Sequence, residues 1–566
     1  MPTLQFKGKT FVQNHHLAVK YHQLVPRPEL SLTEKVSLHD NLVIHGDNLI
    51  ALKALLPTYS GRIKCIYIDP PYNTGKEGWI YNDNVNSPML QEWFKAHLPV
   101  DKEDMTRHDK WLCMMMPRLK LLRELLSENG VIFISIDDNE LYSLKSLLDE
   151  IFAEANWVGT IVWRNVTDNN PTNIAIEHEY IICYAKNKEV LEPTWKSKIS
   201  KAKEQLIEIG KKLNLIYSNQ TELQAAYTDW FKENKSFLGQ LDRYKFIDKG
   251  GVYTGSQSVH NPGREGYRYN ILHPETKNPT KQPLMGYRFP EATLKEMLDA
   301  GKILFGDDEN KIIELKVYAE EYEDKLPSMI QLDGRLGSYD LKDIFPESKK
   351  SFDNPKPVQL IQQILSYLTS DEDIILDSFA GSGTTAHAVL GLNKEDGASR
   401  KFILIEQLDY ADDVTAERVR RVIKGVKSSK NGDLKNGING TLSYFNLGPA
   451  IEMENILRGD SLPDYYEFAR FIFFTATGYE FDHNAVNEQT AFIGETKNAE
   501  VYMFYKPDIE WLKRNALTLD LINALPKYKG KKRLVFAPAK YVDDQTCLEN
   551  RIDFCQLPYE IYRIQQ

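Results

Sequence analysis

Residues 67–75 read YIDPPYNTG. The apolar run IKCIYI (63–68) stops abruptly at Asp69, Pro70, Pro71 and Tyr72. Two prolines remove two backbone donors and fix two φ angles, so a strand cannot run through them. Two readings stay open on these residues alone. One is a buried strand followed by a rigid turn. The other is a site that holds a carboxylate, a free carbonyl and a flat ring in fixed relation.

A second candidate is DSFAGSGTT (377–385), which lies between an apolar run and a helical pattern. Small residues at 380–383 let the backbone approach a ligand closely, and a helix N-terminus favours electronegative groups. No Lys follows the second Gly, so the phosphate-loop pattern fails, and the full G-x-G-x-x-G fingerprint fails too. A Gly-x-Gly turn alone says little about a nucleotide-type cofactor. RKFILIE (400–406) adds Glu406 at the end of the next apolar run. That is where an acid can hold ribose hydroxyls. Strand, Gly turn, helix, strand and acid make a stronger composite.

The elements that must position these residues alternate. LVIHGD (42–47) is strand-like, and NLIALKALL (48–56) carries apolar residues at helical spacing. After strand 63–68, residues 111–126 suit a helix that Pro117 should bend or begin, and Asn129-Gly130 reads as its stop. VIFISID (131–137) is a strand, 139–152 a helix, and 157–163 and 179–185 are strands. The pattern breaks over 186–240, which is charged and helical in character, and over 241–290, where Gly, Pro, Tyr and Arg rise together. It returns with a helix at 357–368, a strand at 373–379, the Gly turn with its helix, strand 400–407 and a helix at 415–426. Strands alternating with helices imply a mainly parallel sheet.

Composition sets outer bounds. At 42% hydrophobic and 27% charged, the chain is of ordinary soluble globular type. No apolar run suits a membrane span, and MPTLQFKGKT lacks a signal-peptide core. The five cysteines are scattered without a CxxC pair, which argues for reduced thiols in a cytoplasm and against a zinc site; no metal is expected. A net charge of −10 does not advertise a nucleic-acid binder, so any such surface must be local.

Together FAGSG and DPPY resemble the S-adenosylmethionine-dependent amino-methyltransferases of DNA. With DPPY first and FAGSG far downstream, the order resembles the circularly permuted beta group of adenine-N6 enzymes, closest to the modification subunit of type III restriction–modification systems. HGDN (45–48), RLKLLRELLSENGVIFISIDDNE (118–140), EHEYIICYAKN (177–187) and NPKPVQLIQQIL (354–365) carry the likeness further, and QLPYEIYRI (556–564) does so more weakly. The resemblance implies a Rossmann-like α/β methyltransferase fold, circularly permuted, with an inserted target-recognition region and a C-terminal α/β domain. The expected layout is an N-terminal arm (1–40), a catalytic half (41–187), the recognition insert (188–350), a cofactor half (351–430) and a C-terminal domain (431–566).

The implied activity is methyl transfer from S-adenosylmethionine to the N6 amine of a flipped-out adenine. Asp69 and the Pro70 carbonyl would accept hydrogen bonds from that amine, Pro71 would keep the turn rigid, and Tyr72 would stack on the base. Asp47 would meet the cofactor's adenine end and Glu406 its ribose. Phe379, Gly381 and Gly383 would line the methionine side, with Asp377, Ala380 and Thr384 in the same turn. Lys356, with Pro357, matches the helix start that closes the pocket. Each has a plainer reading: Asp47 as a helix N-cap, Glu406 as a solvated strand end, Phe379 as core, Lys356 as a surface lysine. If the fold is right, Asp47, Asp69, Gly381 and Glu406 meet at one C-terminal sheet edge.

In 241–290, Lys and Arg at 243, 245, 249, 264, 268, 277, 281 and 288 outnumber acids at 242, 248, 265 and 275. Aromatics at 244, 246, 253, 267, 269, 287 and 289 are interleaved. The expectation is DNA contact through Arg243, Arg264, Arg268, Lys281 and Arg288, with a tyrosine-rich subdomain as the plainer reading. The run KYKGKKR (527–533) reads first as a solvated loop. The implied partners are double-stranded DNA, a second copy in a homodimer, and a separate ATP-dependent restriction subunit, since this chain carries no Walker motif. Two other functions remain: cytosine-N4 methylation, and a non-catalytic DNA-specificity component. Cytosine-C5 chemistry is disfavoured, because no cysteine follows a proline.

Overall fold

A computed structural model describes residues 3–75, 106–166, 173–197, 201–238, 241–256, 258–261, 263–348, 352–451 and 462–557. The chain divides into two compact units, one of residues 1–193 with 327–566 and one of 194–326.

The first unit is built on ten strands. In chain order they are β1 (His22–Pro26), β2 (Leu42–His45), β3 (Ile63–Ile68), β4 (Leu126–Ile136), β5 (Trp157–Arg164), β6 (His178–Ala185), β7 (Met329–Gln331), β8 (Ile374–Asp377), β9 (Lys401–Glu406) and β10 (Ser443–Ala450). Their order across the sheet is β1-β10-β2-β9-β8-β3-β4-β6-β5-β7. From β10 to β4 every neighbouring pair is parallel. β6 runs antiparallel to both β4 and β5. The expectation of a mainly parallel sheet holds, and the late strands β8 and β9 sit between the early strands β2 and β3.

The central strands are nearly all apolar because helices cover both faces. In β3 only Lys64 and the terminal turn escape full burial. The helices that matter to the site are α1 (Asn48–Tyr59), α2 (Arg107–Leu125), α3 (Leu141–Phe152), α4 (Arg335–Ile344), α5 (Val358–Ser366), α6 (Thr384–Asp396) and α7 (Glu417–Lys424). Pro117 lies well inside α2 rather than in its first turn. Asn129-Gly130 is not a helix stop: α2 ends at Leu125 and β4 has already begun, with the β3–β4 register shifting there. A Cβ on Gly130 would lie 2.7 Å from the Ile63 carbonyl, so glycine permits the close approach.

The boundaries expected from sequence need three corrections. The N-terminal segment supplies β1, so it is part of the sheet. The half expected to hold the cofactor does not end at 430, because β10 pairs with β2 and extends the sheet. The second unit is shorter than 188–350, since β7 pairs with β5 and α4 also falls in the first unit. Beyond β10, strands Phe492–Glu495, Ala499–Met503, Lys532–Ala537 and Ile552–Gln556 form a separate four-stranded sheet. Its inner residues Ile493 and Val501, with Phe468 and Phe471 of helix Tyr465–Thr477, share one apolar core with the main sheet.

The second unit carries helices Lys201–Ile216 and Gln220–Leu238, as the charged helical character of 186–240 led one to expect. A four-stranded antiparallel sheet follows, of Phe246–Asp248, Gly251–Ser256, Ile303–Leu304 and Glu314–Tyr318.

Candidate active site

β3 delivers Asp69 to the sheet edge, and the turn that follows is fixed from behind. Trp111 of α2 donates its indole N–H to the Pro71 carbonyl at 2.7 Å. Asn73, fully buried at φ +61°, donates its amide to Glu140, whose same oxygen lies 2.6 Å from His108 Nδ1. A non-glycine residue in the left-handed region costs energy and persists only where its surroundings hold it. No described residue donates to the Pro70 carbonyl. The turn therefore presents that carbonyl and the Asp69 carboxylate together.

Lys356, just before α5, sits among three oxygens. Its ammonium lies 3.1 Å from Asp69 Oδ1 and 3.2 Å from Glu179 Oε2, and donates to the Tyr72 hydroxyl at 2.9 Å. Tyr72 in turn donates to Glu179 Oε2 at 2.9 Å. Asn165 donates to the other Glu179 oxygen at 2.7 Å. The ammonium also lies 4.9 Å from the Tyr72 ring centre and 5.7 Å from that of Trp163. Asp69 Oδ1 is buried, and apart from the Lys356 ammonium and the Tyr72 hydroxyl beside it the carboxylate meets no donor among the described residues. Burial raises the Asp69 carboxyl above its ordinary value, and Lys356 offsets only part of that. Burial opposes the Lys356 charge, but Asp69 and Glu179 outweigh it and hold the ammonium above the usual lysine range.

The second half of the site is the turn from β8 to α6. Gly381 and Gly383 take φ of +52° and +77°. A Cβ on Gly383 would lie 2.9 Å from the Thr415 carbonyl, and one on Gly381 would lie 3.1 Å from the Phe352 ring. Ala380 N–H donates to the Ile405 carbonyl, and Gly381 N–H donates to Glu406 Oε2 at 2.8 Å. The other Glu406 oxygen accepts from the Gln407 and Leu408 N–H groups. Glu406 is thus a buried tie between turn and strand rather than a solvated strand end. Burial also raises its carboxyl. Asp377 accepts from Phe379 N–H at 3.1 Å and from the Thr385 hydroxyl at 2.6 Å, and burial pushes its carboxyl up to about 7.

Beneath the turn lies Arg418 of α7, fully buried. Its guanidinium donates to Ser382 Oγ at 2.9 Å and to Thr384 Oγ1 at 2.8 Å. Thr384 is itself buried. Thr415 donates to the Gly381 carbonyl at 2.6 Å. Burial brings Arg418 down to about 10 and, with Arg418 as neighbour, His387 down to about 3.

Asp47, Asp69, Gly381 and Glu406 do meet at one edge. Each follows or ends one of four adjacent parallel strands, and Gly46 N–H donates to the Glu406 carbonyl at 2.9 Å. Asp47 is the N-cap of α1, its Oδ1 accepting from Leu49 N–H at 2.8 Å, so the plainer reading of that residue is met. Phe379 packs partly buried against the core. Lys356 is no surface lysine: it faces Asp69 and Tyr72, the side expected to be catalytic. Glu179, Asn165, Trp163, Asn73, Glu140 and Arg418 were missed. A carboxylate at the head of the apolar run EYIICYA was the one local signal, and it was readable at Glu179.

In the second unit Arg243, Arg264, Arg268, Lys281 and Arg288 are all exposed. The interleaved aromatics divide. Phe246 and Tyr267 are exposed, while Tyr244, Tyr253 and Tyr287 are buried, and Tyr287 stacks on Tyr269 with ring centres 4.7 Å apart. Most of that aromatic signal is core. In the run 527–533, Lys531 pairs with Glu495, Lys532 with Asp553 and Arg533 with Glu500, which leaves little of it for a phosphate.

Comparison with known proteins matches residues 63–417, more than half the chain, to the family described as DNA methylase. The Mod subunit of the type III restriction-modification enzyme EcoP15I from Escherichia coli is 53% identical over 378 residues, 65% of this chain and 58% of that subunit. The StyLTI Mod subunit from Salmonella typhimurium is 32% identical over 470 residues, 76% of this chain and 65% of that one. The type II methyltransferase M.KpnI from Klebsiella pneumoniae is 30% identical over 388 residues, 64% of this chain and 79% of that protein. The chain thus spans less than two thirds of the first two relatives' lengths.

Proposed function

Since the chain belongs to the N6/N4 DNA methylase family, we propose that it is a site-specific adenine-N6 DNA methyltransferase, the modification and specificity subunit of a type III restriction–modification system. The observation that carries the chemistry is Asp69 Oδ1, a buried acceptor with unspent capacity, next to the Pro70 carbonyl that no described residue donates to. A carboxylate has lone pairs to spare beyond one ammonium contact, and a ligand that supplies donors can fill them. The adenine N6 amine carries two N–H groups and suits this pair.

The edge that gathers the carboxyl groups of Asp47, Asp69, Asp377 and Glu406 fits a cofactor that is cationic and bears a ribose. S-adenosylmethionine would be held by the Gly381–Gly383 turn, Phe379 and Glu406, with Asp47 toward its adenine, and supplies an electrophilic methyl on sulfur. Asp69 and the Pro70 carbonyl draw the amine hydrogens into the plane they define, which lets the nitrogen lone pair leave the ring's conjugation. The carboxylate stabilises the positive charge that develops on nitrogen as the C–N bond forms and the S–C bond breaks. Asp69, whose carboxyl burial raises, is placed to receive the released proton. Fixed acceptors of this kind act by positioning and electrostatics and need no rearrangement during reaction. Tyr72, anchored through its hydroxyl, offers its face to a base that must leave the duplex to be reached.

On the same reading, the interposed β8 and β9 reflect circular permutation of a methyltransferase sheet. The second unit, with exposed Arg243, Arg264, Arg268, Lys281 and Arg288, is the target-recognition region for double-stranded DNA. The working assembly is a cytoplasmic homodimer that acts with a separate ATP-dependent restriction subunit.

Long-read sequencing of modified bases in DNA from cells expressing this chain tests the proposal. N6-methyladenine at one short non-palindromic motif, on one strand, is the expected result. N4-methylcytosine in its place overturns the adenine assignment. With no modified base, and none after the purified chain is incubated with duplex DNA and S-adenosylmethionine, the enzymatic reading falls.

A further inference from the structure

We infer that Glu179 is a positioning residue of this site, which divides the Lys356 ammonium between two carboxylates and so leaves Asp69 acceptor capacity for the amine. The inference rests on Asp69 being the amine acceptor.

A half-buried carboxylate costs free energy unless it is paired, so its partners indicate its role. Among the described residues, every side-chain partner of Glu179 is in the site. Oε2 takes the Tyr72 hydroxyl at 2.9 Å and faces Lys356 at 3.2 Å, and Oε1 takes the Asn165 amide at 2.7 Å. Because a carboxylate only accepts, the Asn165 nitrogen must be the atom that faces it. Asn165 is in turn held through its backbone, where its N–H donates to the Glu177 carbonyl and its carbonyl accepts from Gly334 N–H.

Among the described residues the Lys356 ammonium faces three oxygens: the Tyr72 hydroxyl, which accepts from it, and those of Asp69 and Glu179 at ion-pair distance. With a single carboxylate at hand, the ammonium would align fully on Asp69 and occupy the oxygen that the amine needs. Glu179, at 3.2 Å, takes a share of the charge, so Asp69, at 3.1 Å, keeps acceptor capacity for a second donor. The same carboxylate fixes Tyr72 through its hydroxyl, leaving the ring face for the base.

The groups facing Asp69 are Lys356 before α5, Glu179 on β6, Tyr67 and Tyr72 on β3 and its turn, and Asp377 on β8. Glu179 also faces Asp137 at the end of β4. The Glu179 charge is one cause of the raised Asp69 carboxyl, so removing it moves that carboxyl down.

The test is kcat against pH, at saturating S-adenosylmethionine and duplex DNA, for wild type, Glu179→Gln and Glu179→Ala. Glu179→Gln keeps the shape and loses the charge. The acid limb of its kcat profile is expected to move to lower pH by about one unit. Its plateau is expected to fall roughly tenfold as Lys356 recentres on Asp69. Glu179→Ala, which also releases Tyr72, falls further. S-adenosylmethionine affinity stays within about twofold in both, because the cofactor turn is untouched. An unmoved acid limb in Glu179→Gln overturns the inference. So does loss of kcat, cofactor affinity and melting temperature together, which marks a merely structural residue. If wild type itself transfers no methyl group, the functional reading fails and the inference falls with it, whereas an active wild type with an unmoved acid limb in Glu179→Gln overturns the inference alone. Losses for Glu179→Gln and Lys356→Met that do not add in the double variant support the shared ammonium, and additive losses overturn it.

Discussion

Asn48 donates its side-chain amide to the Ser378 carbonyl at 2.9 Å, across 330 residues of sequence. Its oxygen accepts from Arg118 Nε at 2.6 Å. Both Asn48 and Arg118 are buried, so this small network fastens the start of α1 and the middle of α2 to the backbone entering the Gly turn.

Asn48→Ala removes both bonds and leaves the Ser378 carbonyl and one Arg118 donor without them. Urea unfolding is expected to show a loss of about 2–4 kcal/mol. S-adenosylmethionine affinity should weaken with it, because the turn loses an anchor. A stability loss with cofactor affinity unchanged would confine the network to structure.

Asp69→Ala removes the acceptor while leaving the Gly turn intact. Methyl transfer to duplex DNA is expected to fall by roughly a thousandfold or more. Calorimetric titration should still find cofactor binding near wild type. Loss of that binding instead would mean that Asp69 serves the cofactor and not the amine.

Gly383 and Gly397 make a matched pair. Both adopt positive φ, +77° and +76°, but only at Gly383 would a Cβ meet backbone, 2.9 Å from the Thr415 carbonyl. Gly397→Ala should cost about 1 kcal/mol and leave cofactor affinity alone. Gly383→Ala should cost about 2–3 kcal/mol in thermal unfolding and lower cofactor affinity at least tenfold. Equal effects at the two positions would dismiss the close approach as the reason for glycine at 383.

The raised Asp377 carboxyl gives stability a definite slope with pH. Its value in the fold, about 7, lies above the ordinary carboxylate range, so the folded state holds the proton that the unfolded chain releases. The contribution is fully present below about pH 4 and is lost as pH rises through about 7, by at most about 1.4 kcal/mol per unit. The stability difference between wild type and Asp377→Asn, followed from pH 4.5 to 7.5, should therefore shift against wild type as pH rises. A flat difference would show that Asp377 is charged throughout.

Arg264 and Arg268 are exposed, and among the described residues Arg268 is tied only to the Leu284 carbonyl and loosely to Glu265. Arg264→Glu and Arg268→Glu should each weaken duplex binding and flatten its salt dependence by about one unit of slope. Unchanged affinity and slope in both would move DNA contact elsewhere.

What the sequence made legible follows from contiguity. Asp69-Pro70-Pro71-Tyr72 and Phe379-Ala380-Gly381 lie in unbroken stretches whose residue types contradict the apolar runs before them. Glu179 reaches Tyr72 across 107 positions, and Lys356 reaches it across 284. No local pattern encodes such meetings; the order of strands in the sheet does. The aromatics of 241–290 misled in the opposite way. A tyrosine serves a core or a stacking surface with the same neighbours in sequence, and burial separates Tyr287 from Tyr267. The strand Ser443–Ala450 escaped because YFNLGPA carries Gly and Pro, which mark a sheet edge as readily as a loop.

The placement of β8 and β9 also governs how the molecule is made. On a ribosome β2 and β3 emerge early, yet each needs a late strand beside it. With about 300 residues still to be synthesised at roughly 5–20 residues per second, the nascent sheet waits some ~15–60 s with unpaired edges at its centre. Those edges are open hydrogen-bonding rows, the feature that recruits strands from neighbouring chains. Truncated products that end before Lys401 should therefore aggregate, and the intact chain should gain soluble yield from slower initiation or from a holding chaperone during translation.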